Sequence, residues 1–294
     1  MIDINKIKQN KSVKELLEFG IINIDKPSGP TSFDISDLVR KKLNLRKTSH
    51  FGTLDPKVTG VLPVALNRGC KLTGYFLGED KEYVGVMRIH KDIPLTKIKQ
   101  IIKEKFTGKI KQTPPVKSRV KRQEREREVK KFEILEKQEQ NVLFHVEVQG
   151  GTYIRKLCDD LGKELKTGAH MLELRRIRAC IFREDDKEYP SVNLYDFEKA
   201  VDEYKAGNEE LLRKIIIPAE IISKLFQVIE IKEDSVDRIL HGQPLYHKNL
   251  IKKYDLTKEQ VVVVFVGDKF VGMFKIINGK DIFAKSMFVL QEMR

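Results

Sequence analysis

Residues 49–66 read SHFGTLDPKVTGVLPVAL, and the fold prediction starts from this stretch. Its first twelve residues follow neither a helical nor a strand period. They include Gly52, Pro56 and Gly60, which indicates a shaped loop before an apolar run. Asp55 precedes a proline, so its backbone is restricted to extended conformations, and the flanking glycines let the chain turn closely around it. We therefore expect a rigid loop that points the Asp55 carboxylate at a ligand, with a local Asx turn as the alternative.

Helices and strands alternate on both sides of this loop. Alternating apolar residues predict strands, and apolar residues on one helical face predict helices. In chain order we predict a short helix at 7–18, a strand at 20–27, a helix capped by Thr31 or Ser32, a strand at 82–90, a helix at 95–106, a strand at 142–148, a helix from Thr152, a strand at 171–178 and helical segments to about residue 224.

The predicted secondary structure changes near residue 226. Short strands dominate from there on, including Val261–Val266 and 270–277, which flank a Gly-Asp turn. We expect a mixed α/β domain over residues 1–225 and a small β module over residues 226–294, with residues 1–19 packed on that module.

The composition favours a polyanionic partner. The chain has 294 residues, a formal net charge of +13 and a pI near 9.4. Such an excess of positive charge attracts nucleic acid, although a lysine-rich surface that reflects the host is the alternative. The most basic stretch, Lys117–Lys131, holds eight basic and three acidic residues. We interpret it as an RNA-contacting hairpin or loop, and a solvated face is the alternative.

Cysteines, histidines and apolar runs exclude several classes of protein. The three cysteines form no CxxC pair, so neither a disulfide framework nor a zinc ribbon is indicated. The six histidines show no spacing typical of a metal site. No apolar run approaches the roughly 20 residues that span a membrane, and residues 1–20 do not resemble a secretory signal. We expect a cytoplasmic protein with no metal and no membrane association.

Several ordered segments resemble motifs of one enzyme family. In chain order they are GIINIDKPSGPTS (20–32), GTLDPKVTGVLP (52–63), KEYVGVMRIH (81–90), TPPVKSRVKR (113–122), GGTYIRKLCDDLG (150–162) and TGAHMLELRRIR (167–178). Together they resemble the TruB/dyskerin family of pseudouridine synthases, and several matches in the same order are far more specific than one short pattern. The resemblance covers roughly residues 20–290, and TPPVKSRVKR is typical of the dyskerin branch. Together with KVTGVLP, GAHMLELRR and the C-terminal module, it favours the archaeal dyskerin-like branch of the family.

The resemblance implies a fold and a reaction. The expected fold is α+β, with a mixed, largely antiparallel sheet, flanking helices and a small C-terminal β-barrel-like PUA domain that binds RNA. In the reaction, the uracil of a uridine in RNA detaches from its ribose, turns, and rejoins through a ring carbon. No redox step, cofactor or metal is needed. Asp55 acts either as a nucleophile at the anomeric carbon or as a base at the adjacent ribose position, and the sequence leaves both routes open.

The resemblance also implies a partner for the catalytic carboxylate. Both routes require Asp55 to be ionised in a partly dry pocket, where burial alone would raise its pKa. In the family, the arginine of the GTYIR motif pairs with the catalytic aspartate, which here is Arg155. A guanidinium can hold a carboxylate through two parallel hydrogen bonds. The alternative for Arg155 is an ordinary surface side chain.

Further site residues follow from the same motifs. Tyr83 is expected to stack on the extruded uracil, and Tyr153 and Leu174 to line its pocket. Core packing is the alternative for these three residues. His50 would contact RNA where the target base leaves its stack, and a structural or solvated histidine is the alternative. Lys26 would support the catalytic loop or touch a phosphate, and an ordinary surface lysine is the alternative.

Two positions depart from the family pattern. Arg178 is followed by Ala179-Cys180-Ile181 where the dyskerin branch usually has Ser-Gly-Pro, which questions how the strand ends there. Phe51 stands where the family has serine or threonine, and we expect it to alter how RNA packs at the entrance of the site.

The natural substrate has two candidates. Stand-alone members of the family modify the T-arm uridine of tRNA. Members of the dyskerin branch work in H/ACA particles with small accessory proteins, where a guide RNA selects uridines in rRNA. A non-catalytic RNA-binding scaffold is a competing hypothesis, and the joint presence of Asp55, Tyr83 and Arg155 argues against it. A methyltransferase is disfavoured because no glycine-rich loop opens a helix after a strand.

Overall fold

A computed structural model describes residues 2–114 and 123–291 of the chain. Most of the TPPVKSRVKR segment, and Lys117 to Arg122 of the basic stretch, lie outside these ranges. The rest of that stretch runs from residue 123 into the strand Arg125–Gln138. Within the described part of the chain, no helix is long and apolar enough to cross a membrane.

The predicted helices and strands occur in the predicted order, with further helices and strands between them. The helices are α1 (Ile4–Asn10), α2 (Val13–Glu18), α3 (Ser32–Lys42), α4 (Thr73–Leu77), α5 (Leu95–Lys105), α6 (Ile154–Glu164), α7 (Leu194–Lys205), α8 (Glu210–Ile215) and α9 (Val236–Leu240). The strands are β1 (Phe19–Lys26), β2 (Thr48–His50), β3 (Thr59–Asn67), β4 (Lys81–Ile89), β5 (Gly108–Gln112), β6 (Arg125–Gln138), β7 (Asn141–Val148), β8 (Ala169–Ala179), β9 (Phe182–Arg183), β10 (Ile216–Pro218), β11 (Gln227–Glu230), β12 (Leu245–Tyr246), β13 (Val261–Val266), β14 (Lys269–Ile276) and β15 (Ile282–Val289).

The large sheet is mixed but largely antiparallel. Its order is β10-β1-β3-β8-β4-β7-β6-β5, with β2 paired to β3 and β9 to β8. Among these pairings the parallel one joins β3 to β8, through Thr59 opposite Arg175 and Gly60 opposite Arg176. This short parallel seam at the centre of the sheet lies directly after the Asp55 loop, so the topology places that loop at mid-sheet.

Helices cover both halves of this sheet. One core lies under α5 and α6 and includes Tyr83, Leu54 and Leu174. A second core joins α3, α7 and α8 to β1 and β3. Burial of these apolar side chains is the main contribution that holds the helices to the sheet. The expected α+β fold with flanking helices is therefore confirmed.

The C-terminal module is a five-stranded sheet of order β11-β13-β14-β15-β12, as expected for the small β module. Residues near the N-terminus contact it: the rings of Phe19 and Phe270 lie 5.1 Å apart, and Lys6 pairs with Asp268 at 2.6 Å. The boundary at residues 225 and 226 stays a prediction.

Three predictions of local structure were wrong in detail. The helix predicted at 7–18 is two helices, because Ser12 caps α2 through a reciprocal hydrogen-bond pair with Glu15. The helical region up to residue 224 is interrupted by β10, which pairs with β1 through Ile216 opposite Ile22. Strands β5, β6 and β15 were among those not predicted, because their solvent-facing residues break the apolar alternation.

Candidate active site

The Asp55 loop connects β2 to β3 and is held from below by Lys26. The Lys26 side chain is fully buried, and its ammonium donates to the carbonyl oxygens of Pro27 (2.8 Å), Pro56 (2.9 Å) and Val58 (2.9 Å). Burial lowers the pKa of Lys26, and nearby Arg176 lowers it further. Of the two roles expected for Lys26, this geometry supports the loop and leaves no exposed ammonium for a phosphate.

A second buried cation, Arg176 of β8, holds both ends of the same loop. Its Nε donates to the Val61 carbonyl at 2.7 Å, and its Nη2 donates to the Gly52 carbonyl at 3.0 Å. The side chain of Tyr83 also interacts with the guanidinium. Burial lowers the pKa of Arg176, although the interaction with Tyr83 raises it, and the bonds of Arg176 with the two carbonyl oxygens compensate for part of the lost hydration.

The close approach of β3 to β8 requires glycine at position 60. Gly60 has a φ of +101°, and a Cβ added there would lie 2.2 Å from the Arg176 carbonyl oxygen. That distance is far inside van der Waals contact, and the backbone conformation is one that other residues rarely adopt. Gly60 therefore lets Arg176 come close enough to bind the Asp55 loop.

The N-terminus of α3 holds the loop from the side. The Ser32 hydroxyl accepts from the Leu54 amide at 2.8 Å and donates to the Leu54 carbonyl at 3.2 Å. Within the loop, the Val58 amide donates to the Asp55 carbonyl at 3.0 Å. Both backbone groups of Leu54, the residue before Asp55, are therefore hydrogen-bonded, which makes the loop rigid next to the carboxylate.

Asp55 and Arg155 lie together, as the sequence predicted. Nη2 of Arg155 donates to Oδ2 of Asp55 at 2.5 Å, and the two side chains are 50% and 60% exposed for Asp55 and Arg155. The expected partly dry pocket is not formed by this chain alone, because the pair lies open to solvent. A charge-assisted hydrogen bond of this kind orients the carboxylate.

The first turn of α6 carries Arg155, and Gln112 fixes that turn. Tyr153 precedes the helix, and its amide donates to the Gln112 side chain at 3.0 Å. The Gln112 amide in turn donates to the Tyr153 carbonyl at 3.2 Å. Tyr153 is half-buried and lies two residues before Arg155, immediately before the start of α6.

Tyr83 and Leu174 lie beneath the loop. Both side chains are buried, and both belong to the apolar core that includes Leu54 and Val58 on either side of Asp55. Tyr83 on β4 lies opposite Arg176 on β8, which explains why their side chains interact. The structure therefore brings these two predicted site residues to the floor of the loop.

His50 ends β2 at the other side of the loop. Its Nε2 is 3.1 Å from the Thr53 hydroxyl, and the ring lines a surface groove. Burial lowers the pKa of His50, and the Arg176 guanidinium lowers it further, so the neutral imidazole is favoured at neutral pH.

The two departures from the family pattern have clear structural outcomes. Phe51 is buried and stacks on Phe76 with ring centroids 4.4 Å apart, so the expectation that it affects RNA packing at the entrance was wrong. Cys180 stands at the glycine position and has a φ of +59°, so it takes the backbone conformation that glycine would provide. The turn from β8 to β9 is therefore kept.

Arg176 is the site residue that the sequence analysis missed. Leu174 and Arg176 are two residues apart on β8, and both are buried, whereas Arg175 between them reaches Asp25 in a two-point ion pair at 2.9 Å. Period-2 alternation from Leu174 was the signal that could have found it. Across residues 2–114 and 123–291, no group of three or more His, Cys, Asp or Glu side chains is placed to hold a metal ion.

Comparisons with known proteins agree with this geometry. The sequence matches the family model of the TruB family pseudouridylate synthase N-terminal domain over residues 40–154. It matches the model of the tRNA pseudouridylate synthase B C-terminal domain over residues 155–223.

Curated relatives carry the same family name. A protein of Methanocaldococcus jannaschii named "Probable tRNA pseudouridine synthase B" is 44% identical over 82% of this chain and 71% of its own length. A protein of Pyrococcus furiosus with the same name is 41% identical over 91% of this chain and 78% of its own length.

Solved structures share the fold along almost the whole chain. A chain from the "Crystal Structure of a Cbf5-Nop10-Gar1 Complex" has a TM-score of 0.88 and 37% identity, and the match covers 96% of this chain and 88% of that one. A chain from the "Structure of H/ACA RNP bound to a substrate RNA containing 2'-deoxyuridine" has a TM-score of 0.87 and 35% identity, over 97% and 89% of the two chains. The chain belongs to the TruB family of pseudouridine synthases, which are isomerases.

Proposed function

We propose that this chain isomerises uridine in RNA with Asp55 as its catalytic carboxylate. The observation that carries the proposal is the Asp55–Arg155 pair at 2.5 Å on a loop whose backbone is held by buried Lys26 and Arg176. A carboxylate in this setting is fixed in position and open to a substrate. These are the requirements for a nucleophile at the anomeric carbon and equally for a base at the adjacent ribose position.

The reaction breaks the bond between ribose and the ring nitrogen and forms a bond to ring carbon 5. The proton on carbon 5 leaves, and the freed nitrogen gains one. Tyr83 would lie against the uracil ring, with Leu174 and Tyr153 lining the pocket, and His50 would contact RNA beside the extruded base. The half-exposed Asp55–Arg155 pair supports a site that the RNA itself completes, since this chain leaves it open.

The substrate proposal keeps both candidates. The names of the curated relatives support tRNA, and we propose the T-arm uridine as its target there. The solved H/ACA particle with substrate RNA, and the complex with Nop10 and Gar1, support a guide-directed role with small accessory proteins. A net charge of +13 suits either RNA. We propose that the protein acts in the cytoplasm.

Tritium release tests the chemistry. RNA labelled with tritium on carbon 5 of uridine should lose the label with the wild-type protein and keep it with Asp55→Asn, while the variant still binds the RNA. Asp92→Asn is the matched control, because Asp92 is also an exposed carboxylate in a 2.5 Å ion pair, with Lys137. Equal release by wild type and Asp55→Asn would refute the assignment.

Two RNAs distinguish the substrate routes. One is a T-arm stem-loop tested with the protein alone. The other is an rRNA segment tested with and without a guide RNA and the accessory proteins. Release from the stem-loop alone supports direct action on tRNA, and release that needs the guide supports the particle.

A further inference from the structure

A groove runs along the surface between α3 and β2, beside the Asp55 loop. Its volume is about 510 Å³, and its lining comes from the exposed face of α3 and from residues 46–50. The Thr48 hydroxyl donates to the Ser36 carbonyl at 2.8 Å, which fixes the helix and the strand to each other. The groove is therefore a formed feature of the fold.

Phe33 is the unusual side chain of this groove. It lies in the first turn of α3 and is 67% exposed, which is far from the burial typical of phenylalanine. The preceding residue, Ser32, is buried and hydrogen-bonded to Leu54 of the Asp55 loop. The exposed ring is thus placed next to a rigid connection to the site, and it is available as a flat surface for stacking.

The charges of the groove match a phosphate backbone. Arg40, Arg46 and Lys47 line it, and Arg40 is paired at 2.8 Å with Asp37, the single carboxylate of the lining. The Arg46 side chain is 75% exposed, although one of its nitrogens reaches Glu18 at 2.5 Å. Phe33 is the one large apolar residue among the nine described residues that line the groove, whereas protein interfaces have apolar centres depleted of charge. An aromatic ring beside several cations is the arrangement that binds single-stranded nucleic acid.

One end of the groove reaches the site. His50 lines the groove, and its ring contacts Thr53, which is two residues before Asp55. We propose that this groove binds the single-stranded RNA next to the target uridine, with Phe33 stacked on an unpaired base and Arg46 and Lys47 on phosphates. The inference rests on the proposed function and adds to it the path of the RNA outside the catalytic loop.

Binding of the T-arm stem-loop, measured with the Asp55→Asn protein at several salt concentrations, tests the groove. Adding Phe33→Ala should weaken binding about tenfold, because one base–aromatic stack is lost, without changing the slope of log affinity against log salt. Adding Phe33→Tyr should restore affinity. Adding Lys47→Gln should instead reduce that slope by about 0.7, the value for one phosphate contact on a single strand.

The α7 surface supplies matched controls. Tyr195 is an aromatic residue that is 77% exposed, and Lys205 is an exposed lysine, both outside the groove. Tyr195→Ala and Lys205→Gln should leave both affinity and salt slope unchanged. In a direct readout, 2-aminopurine placed beside the target uridine should be quenched on binding, and Phe33→Ala should remove the quenching.

Two outcomes would overturn the groove proposal. One is affinity within twofold of the parent for Phe33→Ala together with unchanged quenching. The other is unchanged RNA binding with weaker binding of an accessory protein, which would make the groove a protein-binding surface. Either result leaves the proposed function standing if Asp55→Asn still abolishes tritium release, and equal release by wild type and Asp55→Asn would refute that function separately.

Discussion

The charges on the two sides of the Asp55 loop differ in how much water they contact. Below the loop, Lys26 and Arg176 are buried and bind backbone carbonyl oxygens. Above it, Asp55 and Arg155 bind each other at half-exposed positions. Buried polar contacts are expensive to lose, whereas exposed ion pairs contribute little to stability. We infer that the lower charges fix the loop and that the upper pair is kept for the reaction.

Arg176→Lys should produce the largest loss of stability. A lysine keeps the positive charge but cannot donate to the carbonyls of Val61 and Gly52 together in the same geometry. We expect the free energy of unfolding to fall by about 3 kcal/mol, since each buried acceptor left unpaired costs roughly 1–3 kcal/mol. Turnover should fall at least tenfold at unchanged KM for RNA, because the loop shifts while the RNA-facing surface is kept.

Urea unfolding and tritium release measure these two effects. Arg175→Lys is the control, because Arg175 is the neighbouring arginine on the opposite face of β8, paired with Asp25. A change below about 1 kcal/mol for Arg176→Lys, similar to that of the control, would contradict the assignment of the buried side as the support of the loop.

Arg155→Gln should have the opposite effect, with little loss of stability and a large loss of turnover. The free energy of unfolding should change by less than about 1 kcal/mol, because the pair with Asp55 is exposed. Turnover should fall about 100-fold, as is typical when one charged group that stabilises a transition state is removed. The same two measurements apply. A loss of stability as large as that of Arg176→Lys would mean that the upper pair also holds the fold.

His50 provides the smallest and most specific test, because burial and Arg176 both lower its pKa. Below its unfolded value near 6.5, the unfolded chain binds a proton that the folded chain resists. His50 therefore contributes stability that is present above pH 6.5 and lost as the pH falls toward its folded pKa. Between pH 7 and 5, the wild type should lose more stability than His50→Gln, by less than about 1 kcal/mol. Parallel pH profiles for the two proteins would contradict this.

The sequence predicted the upper pair of charges and a loop-supporting role for Lys26, but not the burial of Lys26 or the role of Arg176. Asp55 and Arg155 belong to motifs whose residue types and order are specific, so their pairing followed from the family resemblance. Lysine and arginine are seldom buried, so composition gives no reason to place Lys26 or Arg176 inside. Apart from Pro27, their carbonyl partners are also far along the chain, 32 residues away for Lys26 and Val58.

The fold was predictable where periodicity was strong and less so at sheet edges. Strands β4 and β7 alternate cleanly and were placed within one residue of their observed bounds. The three-residue strand β10 was assigned to a helical region because its pairing with β1 lies almost 200 residues away, and no local pattern records it. Phe51 was misplaced for a similar reason, because its stacking partner Phe76 belongs to a different element.

The parallel seam between β3 and β8 also affects when the protein can become active. Arg176 bonds to residues 115 and 124 positions earlier in the chain, so the Asp55 loop receives this support only after β8 has been synthesised and docked. Contacts of such long range form late in folding because closing the intervening chain costs entropy. A partly synthesised chain that ends before residue 176 therefore contains Asp55 without the means to hold it, and activity begins only with the completed sheet.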